Sequence, residues 1–433
     1  MPLPPSSAAN QRTPARSIET RPTETIQSVN TNKSASMSRR CFAASTAAAL
    51  AAMPLRVHAN DSKRWRVGVI GHTGRGDFGH GIDTVWLGLP ETEIVAVADA
   101  DPQGREKAKQ RLRCEHAFAD YRELIEKTQP EIVAVGPRHV DQHHAMIMAA
   151  IEGGAKGVYC EKPFCATLEQ ADQIVAACER SGTRLAIAHR NRYHPALPVT
   201  KTLIEQGVIG RVLEIRCRGK EDARGGGQDL WVLGTHLLNI AVYFAGNPIA
   251  CSATFYAGDR PATSKDVRPG SEGIGPIAGD RLHARYETQG GTPVFFDSIQ
   301  AAGVAKAGFG IQIIGTEGVI DLRMDTEPLV HLLQGSPFKP APTPRRWVNI
   351  SSGGIGKPEP IADIKRLVSK HELPARDLIA SINESRQPLC SDTDGRVTME
   401  MVHATFASHV QQSARVSLPL TTRTHAFVDW KND

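Results

Sequence analysis

Residues 71–79 read Gly-His-Thr-Gly-Arg-Gly-Asp-Phe-Gly, in which Gly74, Gly76 and Gly79 satisfy a G-x-G-x-x-G spacing. Glycines so placed let backbone N–H groups approach a pyrophosphate where a Cβ would block the way. The apolar run 66–70 leads directly into Gly71, as a strand leads into a nucleotide-binding turn and then a helix. Because that run ends at Gly71, the glycine register is shifted from the usual one, and Gly71 joins the candidate set. A second apolar run, 94–98, ends at Asp99. An acid there can accept from both ribose hydroxyls of an adenosine and repels a 2′-phosphate, so NAD is the expected cofactor, with Arg105 keeping NADP open. A third run, 157–160, delivers Glu161, Lys162 and Pro163, placing an acid and a cation at a strand end.

These residues need a sheet to hold them. Between the glycine turn and residue 187, strand-type runs alternate with helical stretches such as 142–152. That alternation predicts a Rossmann domain over 60–187, with a doubly wound parallel sheet. Ligands of such sheets bind at the carboxyl ends of the strands. Asp99, Pro137 (just after the run 132–135), Glu161 and Lys162 all lie there. β-type runs at 212–220, 249–257, 281–300 and 310–322 predict a second α/β domain over 188–433. The stretch 331–370 reads as one long loop and 375–413 as helices packing back on the body.

The chain has 433 residues and a formal net charge of +5. Residues 1–59 hold seven Arg or Lys and two Glu, which accounts for the whole excess. The remainder has no basic surplus to attract a polyanion, which argues against nucleic acid as a partner. Residues 1–36 are rich in Ser, Thr, Pro and Asn and read as a disordered extension. Met37 then opens Ser38-Arg39-Arg40-Cys41-Phe42, a short apolar run and Val57-His58-Ala59. This resembles a twin-arginine signal peptide, predicting export to the periplasm. The apolar run is too short for stable membrane insertion. Seven cysteines follow the leader, with no CxxC pair and thus no zinc pattern, and the adjacent His143 and His144 lack a third ligand, so no metal is expected.

From the run before Glu161-Lys162-Pro163, the chain resembles the Gfo/Idh/MocA oxidoreductases, the family of glucose–fructose oxidoreductase and inositol dehydrogenase. His189-Arg190-Asn191-Arg192-Tyr193-His194-Pro195, the segment 203–210 and the segment 309–318 are similar to the family's later patterns. The resemblance covers nearly all of 64–420. It implies a carboxyl-terminal α/β domain with an open, mainly antiparallel sheet that commonly mediates homo-oligomers. It implies hydride transfer to or from a sugar or polyol carbon. Lys162 is implied to hydrogen-bond the reacting oxygen, with Glu161 holding the Lys charge or the loop. His236 matches the family's general acid/base, but Val232 stands where the family has the Asp that orients it, and Asn239 where a further acid is usual. Asp229, about two helical turns before His236, is the substitute candidate, with a helix N-cap as its plainer reading. Asn191, Arg192, Tyr193 and His194 are implied to line the substrate pocket, where polar groups suit a polyhydroxyl ligand. Two further readings share this scaffold: a glycoside hydrolase that uses NAD transiently, and a non-catalytic protein that retains a nucleotide and binds sugar.

Overall fold

The computed structural model describes residues 64–302 and 308–430, so the signal-peptide reading lies outside the described residues. Six strands form a parallel sheet in the order 3-2-1-4-5-6: β1 (Trp65–Ile70), β2 (Thr92–Ala98), β3 (His116–Phe118), β4 (Ile132–Val135), β5 (Gly157–Cys160) and β6 (Arg184–Ile187). β4 and β5 are buried at every residue, as a parallel sheet covered on both faces requires. The helices α1 (Pro102–Leu112), α2 (Tyr121–Thr128), α3 (His143–Glu152) and α4 (Leu168–Ser181) supply the crossovers. Asp101 and Thr167 cap α1 and α4 by accepting from Gly104 N and Gln170 N.

One crossover departs from expectation. No α-helix follows the glycine turn; only a four-residue 3-10 helix, Val85–Gly88, stands between β1 and β2. The reason is local. Residues 71–84 contain Gly71, Gly74, Gly76, Gly79 and Gly81, each costing about 1 kcal/mol relative to Ala inside a helix. The chain closes instead into a tight turn in which His72 N donates to Asp77 O (2.9 Å) and Asp77 N returns a bond to His72 O (3.0 Å).

The second half is an eleven-stranded sheet. All its pairings are antiparallel except that of Val294–Ile299 with Val212–Arg218. The stretch 331–370 is not one loop. It completes the strand Val330–Gln334 and adds Val348–Ser351, Gly354–Ile355 and a short helix, Ile364–Ser369. Val330, Leu332 and Ile350 alternate inward there, a period-2 signal hidden among prolines. The helices Glu372–Asn383 and Asp392–Val410 do pack back on the body. The first gives Ala375, Leu378 and Ile379 to the core that holds Val67, Val97 and Tyr159. Among the described residues no helix is long and apolar enough to cross a membrane.

Candidate active site

Glu161 ends β5 and is 1% exposed. Its Oε1 accepts from the Nδ1 (2.7 Å) and main-chain N (3.2 Å) of His80, and its Oε2 from Lys162 N (2.8 Å). Burial opposes the charge, yet the His80 hydrogen bond and the Lys162 cation prevail and hold the carboxyl down to about 2. Glu161 thus ties the glycine-turn segment to the lysine turn, and its role is to position both.

Lys162 is 6% exposed. Its Nζ donates to the main-chain carbonyl of Val232 at 2.9 Å. That carbonyl is available because Leu230–Gly234 is a π-helical turn set between Gly226–Asp229 and the helix Thr235–Ala245. A π turn shifts the hydrogen-bond ladder by one residue, and such turns recur at functional sites. At the position where the family pattern has an Asp, this chain contributes the Val232 main-chain oxygen, which meets Lys162 and not His236. Burial lowers the lysine's affinity for its proton, while Glu161 and Glu272 oppose that shift and Arg224 and Arg138 add to it.

His236 follows the π turn and is buried. Its Nδ1 lies 3.3 Å from Nδ1 of His189, and the two rings meet edge to face. Burial first, then the neighbouring His189 and Lys162, push His236 well below the ordinary histidine value. Burial and Lys162 likewise bring His189 down to about 3. Both imidazoles are neutral near pH 7. One Nδ1 carries the shared proton and the other accepts it.

Asp229 stands elsewhere. Its Oδ2 accepts from Ser298 Oγ (2.7 Å) and Glu221 N (3.1 Å), and a Cβ on Gly219 would meet that oxygen at 2.1 Å. Asp229 closes the Gly219–Glu221 turn and gives His236 no hydrogen bond. It stands directly before Leu230–Gly234, but its backbone is already helical there and its side chain makes no capping hydrogen bond, so it does not act as a helix N-cap.

Lys162 and His236 line one cavity of about 260 Å³, together with Arg190, Lys220, Arg224, Glu272 and Asp325. His371 is on its wall as well, buried, with Nδ1 held by Tyr159 OH (2.6 Å) and Nε2 without a partner. The segment 191–194 is turned away from it. Asn191 donates to Asp325 (3.1 Å), Arg192 lies over the Tyr243 ring, Tyr193 OH reaches main-chain oxygens of Ile187 and Cys390, and His194 pairs with Glu327 (3.0 Å). Arg190, one residue earlier, is that segment's contribution to the cavity wall. Lys220, Arg224, Glu272, Asp325 and His371 come from separated loops and carry no sequence pattern that would have singled them out.

The glycine turn is closed on itself and on its neighbours. A Cβ at Gly71 would meet the Phe78 ring at 2.2 Å, one at Gly76 the Arg138 main-chain N at 2.3 Å, and one at Gly79 the Gly136 carbonyl at 2.7 Å, while Gly74 has nothing within 4 Å. Asp99 is 1% exposed and accepts from Thr73 N, Thr73 Oγ1 (2.6 Å) and Asp101 N (3.0 Å). It braces the turn, and a ribose contact would require Thr73 to give way. Arg105 donates to the Asp99 carbonyl at 2.7 Å. The Pro137 carbonyl lies 2.7 Å from His143 Nε2, whose Nδ1 lies 2.8 Å from the Pro163 carbonyl, so His143 staples the two loops.

A second cavity of about 240 Å³ opens at the ends of β1 and β2, lined by Gly71, Asp99, Tyr121, Gln142 and Met146 among others. The buried Gln142 Nε2 there has no hydrogen-bond partner, so a polar atom of a ligand is wanted at that wall. The two cavities, at the ends of β1–β2 and of β5, fit the two ends of a dinucleotide laid across the carboxyl edge of the sheet.

Known proteins place this arrangement. A D-apiose dehydrogenase of Paraburkholderia graminis is 26% identical over 338 residues, which is 75% of this chain and 82% of that protein. A levoglucosan dehydrogenase of Pseudarthrobacter phenanthrenivorans is 27% identical over 209 residues, 44% of this chain and 51% of that one. The solved levoglucosan dehydrogenase in complex with NADH shares the fold at TM-score 0.66 and 21% identity, covering 82% of this chain and 100% of that one. An NAD binding oxidoreductase from Klebsiella pneumoniae does so at TM-score 0.63 and 22% identity, covering 82% of this chain and 99% of that one. The family model described as an oxidoreductase NAD-binding Rossmann fold matches residues 65–189, and its carboxyl-terminal α/β partner matches 201–418. The chain therefore belongs to the Gfo/Idh/MocA family of NAD-binding oxidoreductases.

Proposed function

We propose that the protein moves hydride to or from a carbinol carbon of a sugar or polyol, using a tightly held NAD. One observation carries this reading: Lys162 and His236, from different halves of the molecule, face one polar cavity, with Lys162 anchored to the Val232 carbonyl four residues before His236. When bound, the nicotinamide supplies the hydride acceptor or donor. Lys162, Glu161 and the cavity wall would hold that end of the cofactor, and Tyr121, Gln142 and the ends of β1 and β2 the other.

Oxidising a carbinol removes the hydroxyl proton and builds negative charge on oxygen. A neutral His236 with its proton on Nδ1 leaves Nε2 free to take the hydroxyl proton. His189, also neutral and in contact with Nδ1, fixes that tautomer in place of the family's carboxylate. The Lys162 ammonium can donate to the same oxygen and oppose the developing charge. Its burial makes that charge more effective than it would be in water.

The test is to purify residues 60–433, verify bound NAD by mass spectrometry after denaturation, and follow nicotinamide absorbance with a panel of aldoses and polyols. Turnover that Lys162→Met abolishes supports the reading. A nucleotide-loaded protein inert toward the whole panel overturns it.

Two further properties complete the proposal. Arg39-Arg40 and the apolar run that follows route the folded, cofactor-loaded protein to the periplasm, and fusing residues 37–63 to a reporter, with and without Arg39→Lys and Arg40→Lys together, tests this. The open face of the large sheet forms a homo-oligomer, which light scattering on the purified protein tests.

A further inference from the structure

Five cations line the cavity that holds Lys162: Arg138, Lys162, Arg190, Lys220 and Arg224. Three have partners. Lys162 is bonded to the Val232 carbonyl beside Glu161, Arg190 pairs with Asp325 (2.8 Å), and Arg224 grips Asp222 through two guanidinium nitrogens. Arg138 and Lys220 have no ion-pair partner among the described residues. Of the lining acids, Glu161 is taken up by His80 and Lys162 N, Asp325 is bonded to Arg190 and Asn191 with Lys220 in electrostatic reach, and Glu272 acts on Lys162 and Arg224, so the five cations outnumber the three acids of the wall. Half-buried cations beside other cations are costly unless an anion joins them.

The two unpaired cations stand on opposite sides. Arg138 follows β4, and a Cβ on Gly76 would meet its main-chain N, so it belongs to the dinucleotide side. Lys220 belongs to the other half and follows the strand Val212–Arg218. Its turn is braced: Gly219 N donates to Asp297 O (2.9 Å), and buried Asp229 takes Glu221 N and Ser298 Oγ. A lysine held on a fixed turn, in no direct ion pair and on a cavity wall with more cations than acids, is a seat for a negative group on the substrate.

We infer that the substrate is a sugar acid, whose carboxylate is held by Lys220 on the wall facing the cofactor side. This rests on the hydride-transfer reading, since it specifies the sugar that reading requires. Asp229 becomes a positioning residue for Lys220.

The holoenzyme distinguishes the two levels. Paired substrates, D-glucuronate against D-glucose and D-galacturonate against D-galactose, should differ in kcat/KM by about tenfold or more in favour of the acids. Added salt should narrow the gap. Lys220→Gln should bring the ratio to about one, and Lys220→Arg should restore it in part. Equal turnover of acid and neutral sugar, unchanged in Lys220→Gln, overturns the carboxylate seat and leaves hydride transfer standing. If neither sugar of a pair turns over, hydride transfer to these sugars fails, and calorimetric titration of D-glucuronate into the holoprotein still decides the seat. Binding weakened by about tenfold in Lys220→Gln supports it, and equal or absent binding overturns it.

Discussion

The end of β1 and the end of β5 are both polar, both glycine- or proline-marked, and built to opposite effect. At β1 the donors and acceptors are used on one another: Asp99 takes Thr73 and Asp101, His72 and Asp77 exchange main-chain bonds, and Gly74 N donates to Asp77. At β5 the groups are held in place but left facing a cavity: Lys162 by one carbonyl, His236 by one neighbouring imidazole. The first arrangement makes a closed brace and the second an open polar surface. A recognisable motif is therefore no guide to which polar groups remain free. The structure has to show what each group already holds.

The largest effects should fall on the β5 side. Lys162→Met should lower kcat by about 10³-fold, with thermal stability reduced as well, because buried Glu161 loses the cation beside it. His236→Gln should cost about 10²-fold. Since burial keeps both His236 and His189 neutral, activity should show no limb across the range where a free histidine titrates. A limb in that range would mean that one of them charges and that the pair is not shielded as described.

The difference in legibility between the two ends follows the same division. Lys162 and Glu161 were readable because a strand-type run ends on them, and a sheet fixes where its strand ends point. His236 was readable from family position, but its partner was not. Val232 in place of an acid suggested Asp229 two turns away, whereas the π turn rotates the helix so that a main-chain oxygen meets Lys162 and a histidine from residue 189 meets His236. A one-residue slip in a helical ladder leaves no trace in side-chain periodicity. The missing α-helix after the glycine turn was legible in principle, since five glycines within fourteen residues disfavour any helix. The charged wall was not, because Lys220, Glu272 and Asp325 meet only through tertiary structure.

Glu161 joins the two ends, and its removal should be felt as stability. Its folded-state carboxyl sits at about 2 against an ordinary 4.5, so its charge stabilises the fold above pH 4.5 and that contribution fades as pH falls toward 2. Chemical denaturation should find Glu161→Gln weaker than wild type at neutral pH, by about 3 kcal/mol at most. The two curves should converge on acidification. A constant difference down to pH 3 would assign the loss to packing instead of charge.

The smallest effect separates brace from cradle. Gly76 has φ +89° and a Cβ there would strike the Arg138 main chain, so Gly76→Ala should destabilise well beyond the left-handed penalty of about 1–2 kcal/mol. Gly74 has φ +81° with open space around it, so Gly74→Ala should cost only about that penalty. Cofactor affinity of the two variants then sharpens the comparison. If Gly74→Ala folds well yet loses NAD, the open side of the turn is where the dinucleotide passes, and the brace at β1 also serves binding. If it folds well and holds NAD as wild type does, the turn is structural, and the cofactor is gripped from the ends of β2, β4 and β5 instead.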